Sequence, residues 1–314
     1  MKKTLITAAA ALACLPALAQ DTAVAIGMSG WTGFAPLSLA KEAGLFKKHG
    51  LDVSIKMIPQ KDRHLAVASG DIQCAATTVE TWIVWNANGV ATTQIFQLDK
   101  SYGADGMVVK PGIEKITDLK GKTVAASAPG TAPYFTLAWM LAKNGLSVKD
   151  VTVVNLEPQA AANAMIAGTA GLDAAMTYEP YLSAVRAKPE AGTIIATTLD
   201  YPMIMDTFGC TPKFLAQNPK AAKALADGYF DAVAMIQAEP AKSFAVMGAA
   251  VKQTAEKFEA SQKYLRWQDR AANQKFFAGE HAAFSKEAAQ LLLEAGIIKA
   301  VPDLSKLADT QFLK

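Results

Sequence analysis

The sequence predicts an α/β protein of two similar lobes, each a mainly parallel sheet flanked by helices, with two hinge crossings between them. Three observations predict it. First, residues 59–80 (PQKDRHLAVASGDIQCAATTVE) recur without a gap at 158–179 (PQAAANAMIAGTAGLDAAMTYE), 99 residues later, with seven identities: Pro59/Pro158, Gln60/Gln159, Ala68/Ala167, Ala75/Ala174, Ala76/Ala175, Thr78/Thr177 and Glu80/Glu179. So long a period is no solenoid unit, which spans about 20–50 residues. Second, apolar runs of strand length alternate with stretches of helical periodicity, the pattern of parallel sheets covered on both faces. Third, 314 residues exceed one typical domain.

Residues 23–28 read as the first strand, followed by the turn Ser29-Gly30-Trp31-Thr32-Gly33. A helix over 36–49 follows: Leu37, Leu39, Ala40, Ala43 and Leu45/Phe46 recur at helical spacing, Pro36 suits its first turn and Gly50 ends it. Next come strand 53–58, a short helix over 62–69, strand 73–77 and a helix over 79–88. The second lobe repeats the plan. Strand 123–126 leads into the turn Ser127-Ala128-Pro129-Gly130-Thr131 and a helix over 132–144. Strand 151–155, helix 159–167, strand 172–177, helix 179–186 and strand 193–196 complete it. The Gly-, Pro- and Asp-rich stretches 102–105 (YGAD) and 200–206 (DYPMIMD) are the expected crossings. They place lobe I at 20–104 and 205–314 and lobe II at 105–204. The remainder is helical, and this C-terminal third is expected to brace lobe I.

Residues 1–19 read as a secretory signal peptide. Lys2 and Lys3 precede an apolar core over 4–15, and Ala17-Leu18-Ala19 forms a small-x-small cleavage site. A lipoprotein cut before Cys14 is the alternative, but Ala11 stands where such a site wants Leu. Without Lys2 and Lys3, 29 basic residues face 28 acidic ones. A nearly neutral chain gives no footprint for nucleic acid. The uncharged run 123–142 is long enough to span a bilayer, but Pro129, Gly130 and Pro133 interrupt it and it reads as buried core. Cys74 and Cys210 show no metal or redox spacing. Export would allow them to join, yet two buried free thiols are the expectation. His49, His64 and His281 are scattered, so no metal and no cofactor is expected.

Ligands of open parallel sheets bind beyond the carboxyl ends of the strands. Two facing lobes would bring four strand-to-helix turns to one cleft. Free N–H groups at helix starts suit an oxyanion, and the hydroxyls of Ser29, Thr32, Thr77, Thr78, Ser127, Thr131 and Thr177 could add donors. Each alone reads as a helix cap; gathered at matched turns they read as a binding surface. Glu80, Glu179 and Asp206 are the candidate carboxylates for an ammonium or other N–H donor, although Glu179 before Pro180 also suits a helix start. Trp31, Tyr134 and Tyr178 could wall a pocket, with Gly30 and Gly130 allowing close approach. Lys61 and Arg63 are expected on a solvated helix face. No catalytic residue is indicated: G-x-S-x-G, G-x-x-x-x-G-K-[ST] and H-E-x-x-H are absent.

Residues 31–53 (WTGFAPLSLAKEAGLFKKHGLDV), 116–125 (ITDLKGKTVA), 172–180 (LDAAMTYEP) and 209–215 (GCTPKFL) resemble solute-binding proteins of the nitrate/taurine/sulfonate class of ABC importers. The resemblance implies a type II periplasmic-binding-protein fold and a monomeric, non-enzymatic, hinge-closing periplasmic receptor that hands a small solute to a membrane permease. It places the pocket turns on Ser29–Trp31, Thr77–Glu80, Ser127–Thr131, Tyr178–Glu179 and Asp206; many relatives carry Trp where Tyr178 stands. A taurine-like sulfonate is the expected solute, its anionic end on helix starts and hydroxyls and its amine on Asp206 or Glu80. A sensory subunit, or a receptor for nitrate, a urea-like solute, an aromatic acid or a pyrimidine, would share the fold. A secreted enzyme such as the related pyrimidine synthase is disfavoured by the export signal and the lack of a His/Cys cluster.

Overall fold

A computed structural model describes residues 21–314; the expected signal peptide and the alternative Cys14 anchor lie outside the described residues. Eleven strands are described: β1 (Thr22–Met28), β2 (Leu51–Met57), β3 (Cys74–Thr78), β4 (Thr93–Ser101), β5 (Asp105–Val109), β6 (Thr123–Ala125), β7 (Thr152–Val154), β8 (Ala174–Tyr178), β9 (Thr193–Thr197), β10 (Met205–Cys210) and β11 (Leu265–Trp267). They form two sheets, ordered β11-β4-β10-β3-β1-β2 and β7-β6-β8-β5-β9. The chain leaves the six-stranded sheet between β4 and β5 and returns to it between β9 and β10.

Five strands of the larger sheet match those of the smaller one in order, and β11 has no counterpart. β2-β1-β3 and β7-β6-β8 are parallel triplets. Beside each triplet lies the first strand after a crossing, β10 or β5, running antiparallel because it arrives from the opposite lobe. The internal echo survives in the register: Val24 pairs with Val53, and 99 residues later Thr123 pairs with Thr152. The inner pairing drifts, since Gly27 meets Ala75 while Val124 meets Ala174. The uncharged run over 123–142 is β6, a turn and most of the helix Ala132–Lys143, whose Phe135, Leu137, Met140 and Leu141 are fully buried. Among the described residues no helix is long and apolar enough to cross a membrane.

Four expectations are corrected. The helix expected over 36–49 is two helices, Ala35–Glu42 and Leu45–Lys48, because Gly44 adopts a left-handed φ of 70° between them. Strands β4 and β5, absent from the sequence reading, occupy residues 93–109. Cys74 and Cys210 are not free thiols: the antiparallel pairing of β3 and β10 sets them opposite one another and they form a disulfide. The C-terminal third does not brace lobe I alone. Pro219–Ala238 and Pro240–Ala250 bury Leu225, Tyr229, Val233 and Met247 in the first lobe's core. The helix His281–Glu294 instead packs Phe284, Ala288 and Leu292 into a cluster shared by Ile83 and Val84 of the helix Val79–Ala87 and Phe135 and Trp139 of the second lobe. Its apolar stripe covers the seam between them.

Candidate functional site

The carboxyl ends of β1, β3 and β8 meet the crossings at the seam. There a cavity of about 20 Å³ is lined from one side by Ser29, Trp31, Gln60, Arg63, Thr78 and Asp206, and from the other by Asp105, Ala132 and Tyr178, with Ile204 of the return crossing beside them. That is room for about one water. A larger groove of about 790 Å³ opens along the same seam, lined by residues that include Gly30, Met57, Tyr181, Lys252, Lys257 and Tyr264.

Backbone geometry sets each group. Asp206 on β10 sits opposite Asp99 on β4, and both carboxyls are buried. The Trp31 indole Nε1 donates to both Asp99 oxygens at 3.3 Å. Its ring meets the edge of Tyr178 at 5.4 Å between centroids. Gly33 permits this arrangement, since a Cβ there would overlap the Asp99 carboxylate and the indole nitrogen. Gln60 straddles the seam. Its Nε2 donates to the Thr77 hydroxyl at 2.8 Å and the Thr81 hydroxyl at 3.0 Å, and its Oε1 accepts the Ala132 N–H at 3.1 Å from the opposite lobe. Thr81 donates to the Gly130 carbonyl and the Thr32 N–H to the Glu179 carbonyl, also across the seam.

Burial dominates the electrostatics. Glu80, Asp99, Asp105 and Asp206 are at most 4% exposed. Desolvation raises Glu80 to about 8, opposed by the hydroxyl of Thr78 that donates to it. Desolvation raises Asp105 to about 7, with the nearby charge of Glu179 adding to the rise. Asp99 and Asp206 are raised well above the usual carboxylate range by burial, Asp206 further by the charges of Asp99, Asp105 and Glu80. Burial likewise raises the Tyr178 phenol, against the Ser29 hydrogen bond that lowers it.

Of the residues expected at the site, Ser29, Trp31, Thr78, Tyr178 and Asp206 line the small cavity. The Thr77 hydroxyl accepts from Gln60 of the cavity wall, and Glu80 accepts from Thr78. Gly30 faces the groove, and the Thr32 hydroxyl is buried without a partner. The remaining candidates are otherwise engaged: Ser127 donates to Glu157, Thr131 to the Ala128 carbonyl and Thr177 to the Pro158 carbonyl. Tyr134 is partly exposed and lines neither opening. Glu179 pairs with Arg186 and accepts the Ser183 N–H, so it serves a helix start. Arg63 is not on a solvated face as expected. It is fully buried, with its guanidinium donating to the carbonyls of Ile58 and Ala76.

Sequence reasoning missed Gln60, Asp99 and Asp105. The signal for Asp99 was present: Phe96 and Leu98 alternate with Gln97 and Asp99, a strand period. Asp105 falls in a stretch that reads as a crossing, where a carboxylate looks solvated. Gln60 lies inside the echo, where a polar first-turn residue looks solvated too. Among the described residues no group of three or more His, Cys, Asp or Glu side chains is placed to hold a metal ion.

Similar proteins share both the chain pattern and this two-lobed frame. A protein of Brucella abortus described as a binding protein is 25% identical over 233 residues, 71% of this chain and 70% of the relative. The taurine-binding periplasmic protein of Escherichia coli is 28% identical over 232 residues, 72% and 70%. The alkanesulfonate-binding protein of Xanthomonas axonopodis pv. citri, solved with MOPS bound, superposes with a TM-score of 0.80 at 17% identity, covering 93% of this chain and 99% of that one; it shares the fold. The family model described as NMT1/THI5 like matches residues 31–243, more than half of the sequence, and the chain belongs to that NMT1/THI5-like family.

Proposed function

We propose that the protein is the periplasmic solute-capturing component of an ABC importer, taking a small organic solute into the seam between its lobes and closing on it about the two crossings. The solute is of the sulfonate or taurine type and is handed to a permease in the inner membrane. The observation that carries this reading is the cavity lined from both lobes, by Ser29, Trp31, Thr78 and Asp206 on one side and Asp105 and Tyr178 on the other. A solute touching both halves binds the closed arrangement more tightly than the open one, which is what drives closure. At about 20 Å³ the cavity must widen to admit such a solute, so the lobes part before they grip. A thermal-shift screen over sulfonates, taurine, nitrate, ureas, aromatic acids and pyrimidines tests the reading, because a ligand that binds only the folded state raises the melting temperature by mass action. A rise with one solute class, and a smaller radius of gyration with that solute, support capture by closure. No rise with any of them refutes it.

A further inference from the structure

The charges around the cavity specify the solute more closely. Glu80, Asp99, Asp105 and Asp206 converge from the helix Val79–Ala87, β4, β5 and β10. The other titratable groups facing them are the acids Tyr178, Tyr229 and Glu179 and the guanidinium of Arg63, which also faces Tyr178 and Glu157. Two cations stand nearby, too few to balance these carboxyls, although Arg63 lines the same cavity. The Arg63 guanidinium donates to the carbonyls of Ile58 and Ala76. Arg186 is held by Glu179 and the Gly103 carbonyl.

A second observation points to what is missing from this balance. Asp105 Oδ2 and Glu80 Oε2 are buried without any hydrogen-bond partner, and Asp105 lines the cavity. Buried oxygens left so are costly, and an N–H donor arriving there would satisfy them. At the second lobe's helix starts, N–H groups expected to hold an anion are already used. Gln60 occupies the Ala132 N–H and Glu179 the Ser183 N–H, while Pro133 has none to give.

We propose that the solute binds through a positive group, a protonated amine or amidine seated between Asp105 and Asp206, and that its arrival expels a proton from the carboxylate cluster to solvent. The inference rests on the cleft being the solute site. Affinity then rises with pH, and anions that lack such a group are rejected. Charge balances: a carboxyl O–H bond breaks, its proton leaves to buffer, and the ammonium or amidinium replaces it beside the carboxylate.

Calorimetry at pH 6 and pH 8, in phosphate and in Tris, tests this with taurine, ethanesulfonate, ethylamine, benzamidine and nitrate. At least one aminated or amidine probe is expected to bind and to release about one proton. For a single carboxyl near 7, the position of Asp105, its Kd falls about tenfold from pH 6 to pH 8. Asp105→Asn and Asp206→Asn are expected to weaken that probe more than tenfold and, for the residue that titrates, to abolish proton release; a merely structural carboxyl would change neither the proton count nor the pH slope. Circular dichroism verifies folding of each variant. Binding of ethanesulfonate or nitrate without any amine or amidine binding overturns the inference and leaves solute capture standing, as does amine binding with a flat pH profile and no proton released. No binding by any probe, together with no shift in the thermal screen, overturns both.

Discussion

Breaking the Cys74–Cys210 disulfide is expected to cost the first lobe much of its stability. The bond joins residues 136 apart in sequence, and the loop it closes contains β4 and the entire five-stranded sheet. In the chain-entropy account a loop of that length restricts the unfolded chain by about 5 kcal/mol. Residual unfolded-state structure lowers the realised value, so a loss of about 3–5 kcal/mol is expected. With a urea slope of about 3 kcal/mol/M, the midpoint should fall by roughly 1 M or slightly more. The assay is urea unfolding of the wild-type protein with and without dithiothreitol, with thiol titration to verify that reduction is complete. A Cys74→Ala/Cys210→Ala variant should fall at least as far, since both sites are 1% exposed or less and alanine leaves space there. A midpoint unmoved by complete reduction would refute the reasoning.

Other expectations follow from single contacts. Gly33→Ala should drive a methyl into the Trp31–Asp99 contact, costing about 1–3 kcal/mol by overpacking; urea unfolding measures it, and a thermal screen should show ligand protection reduced. Arg186→Ala should cost about 3 kcal/mol, because the Glu179 carboxylate it pairs with is fully buried and would be left without its counter-charge; an unchanged urea midpoint contradicts this. Asp105 has a folded-state pKa raised from 3.8 to about 7, so the folded state holds the extra proton and loses stability as pH rises across that window. Asp105→Asn removes this loss. Unfolding curves should therefore show the variant close to wild type near pH 4 and more stable at pH 8, by up to about 4 kcal/mol, since each tenfold change in proton affinity is worth roughly 1.4 kcal/mol.

The repeated plan of the fold was legible because it rests on local periodicity and on an echo whose offset reappears in the strand register, Val24 with Val53 and Thr123 with Thr152. Gly50 and Gly145 marked helix ends by a left-handed backbone that glycine adopts freely. Gly44 has the same conformation inside one apolar stripe, and the stripe concealed the break. Half of the cavity was legible too, since Ser29, Thr78 and Tyr178 stand at strand ends and any parallel sheet presents those ends to a ligand. The acid cluster was not. It depends on β10 returning from the other lobe to set Asp206 opposite Asp99, and on β5 starting at Asp105. Both are pairings between distant segments, which no local window contains. Arg63 misled for a similar reason: on its own helix it looks solvated, and only β3 and the turn before the helix supply the carbonyls that hold it.

The most direct measurement is a crystal structure with the solute that most raises the melting temperature in the screen. The account places that solute between the sheets, with a nitrogen within hydrogen-bonding distance of Asp105 and Asp206 and its body against Trp31 and Tyr178. A solute seated in the groove beside Lys252 and Lys257, or one touching residues of a single lobe, would contradict it.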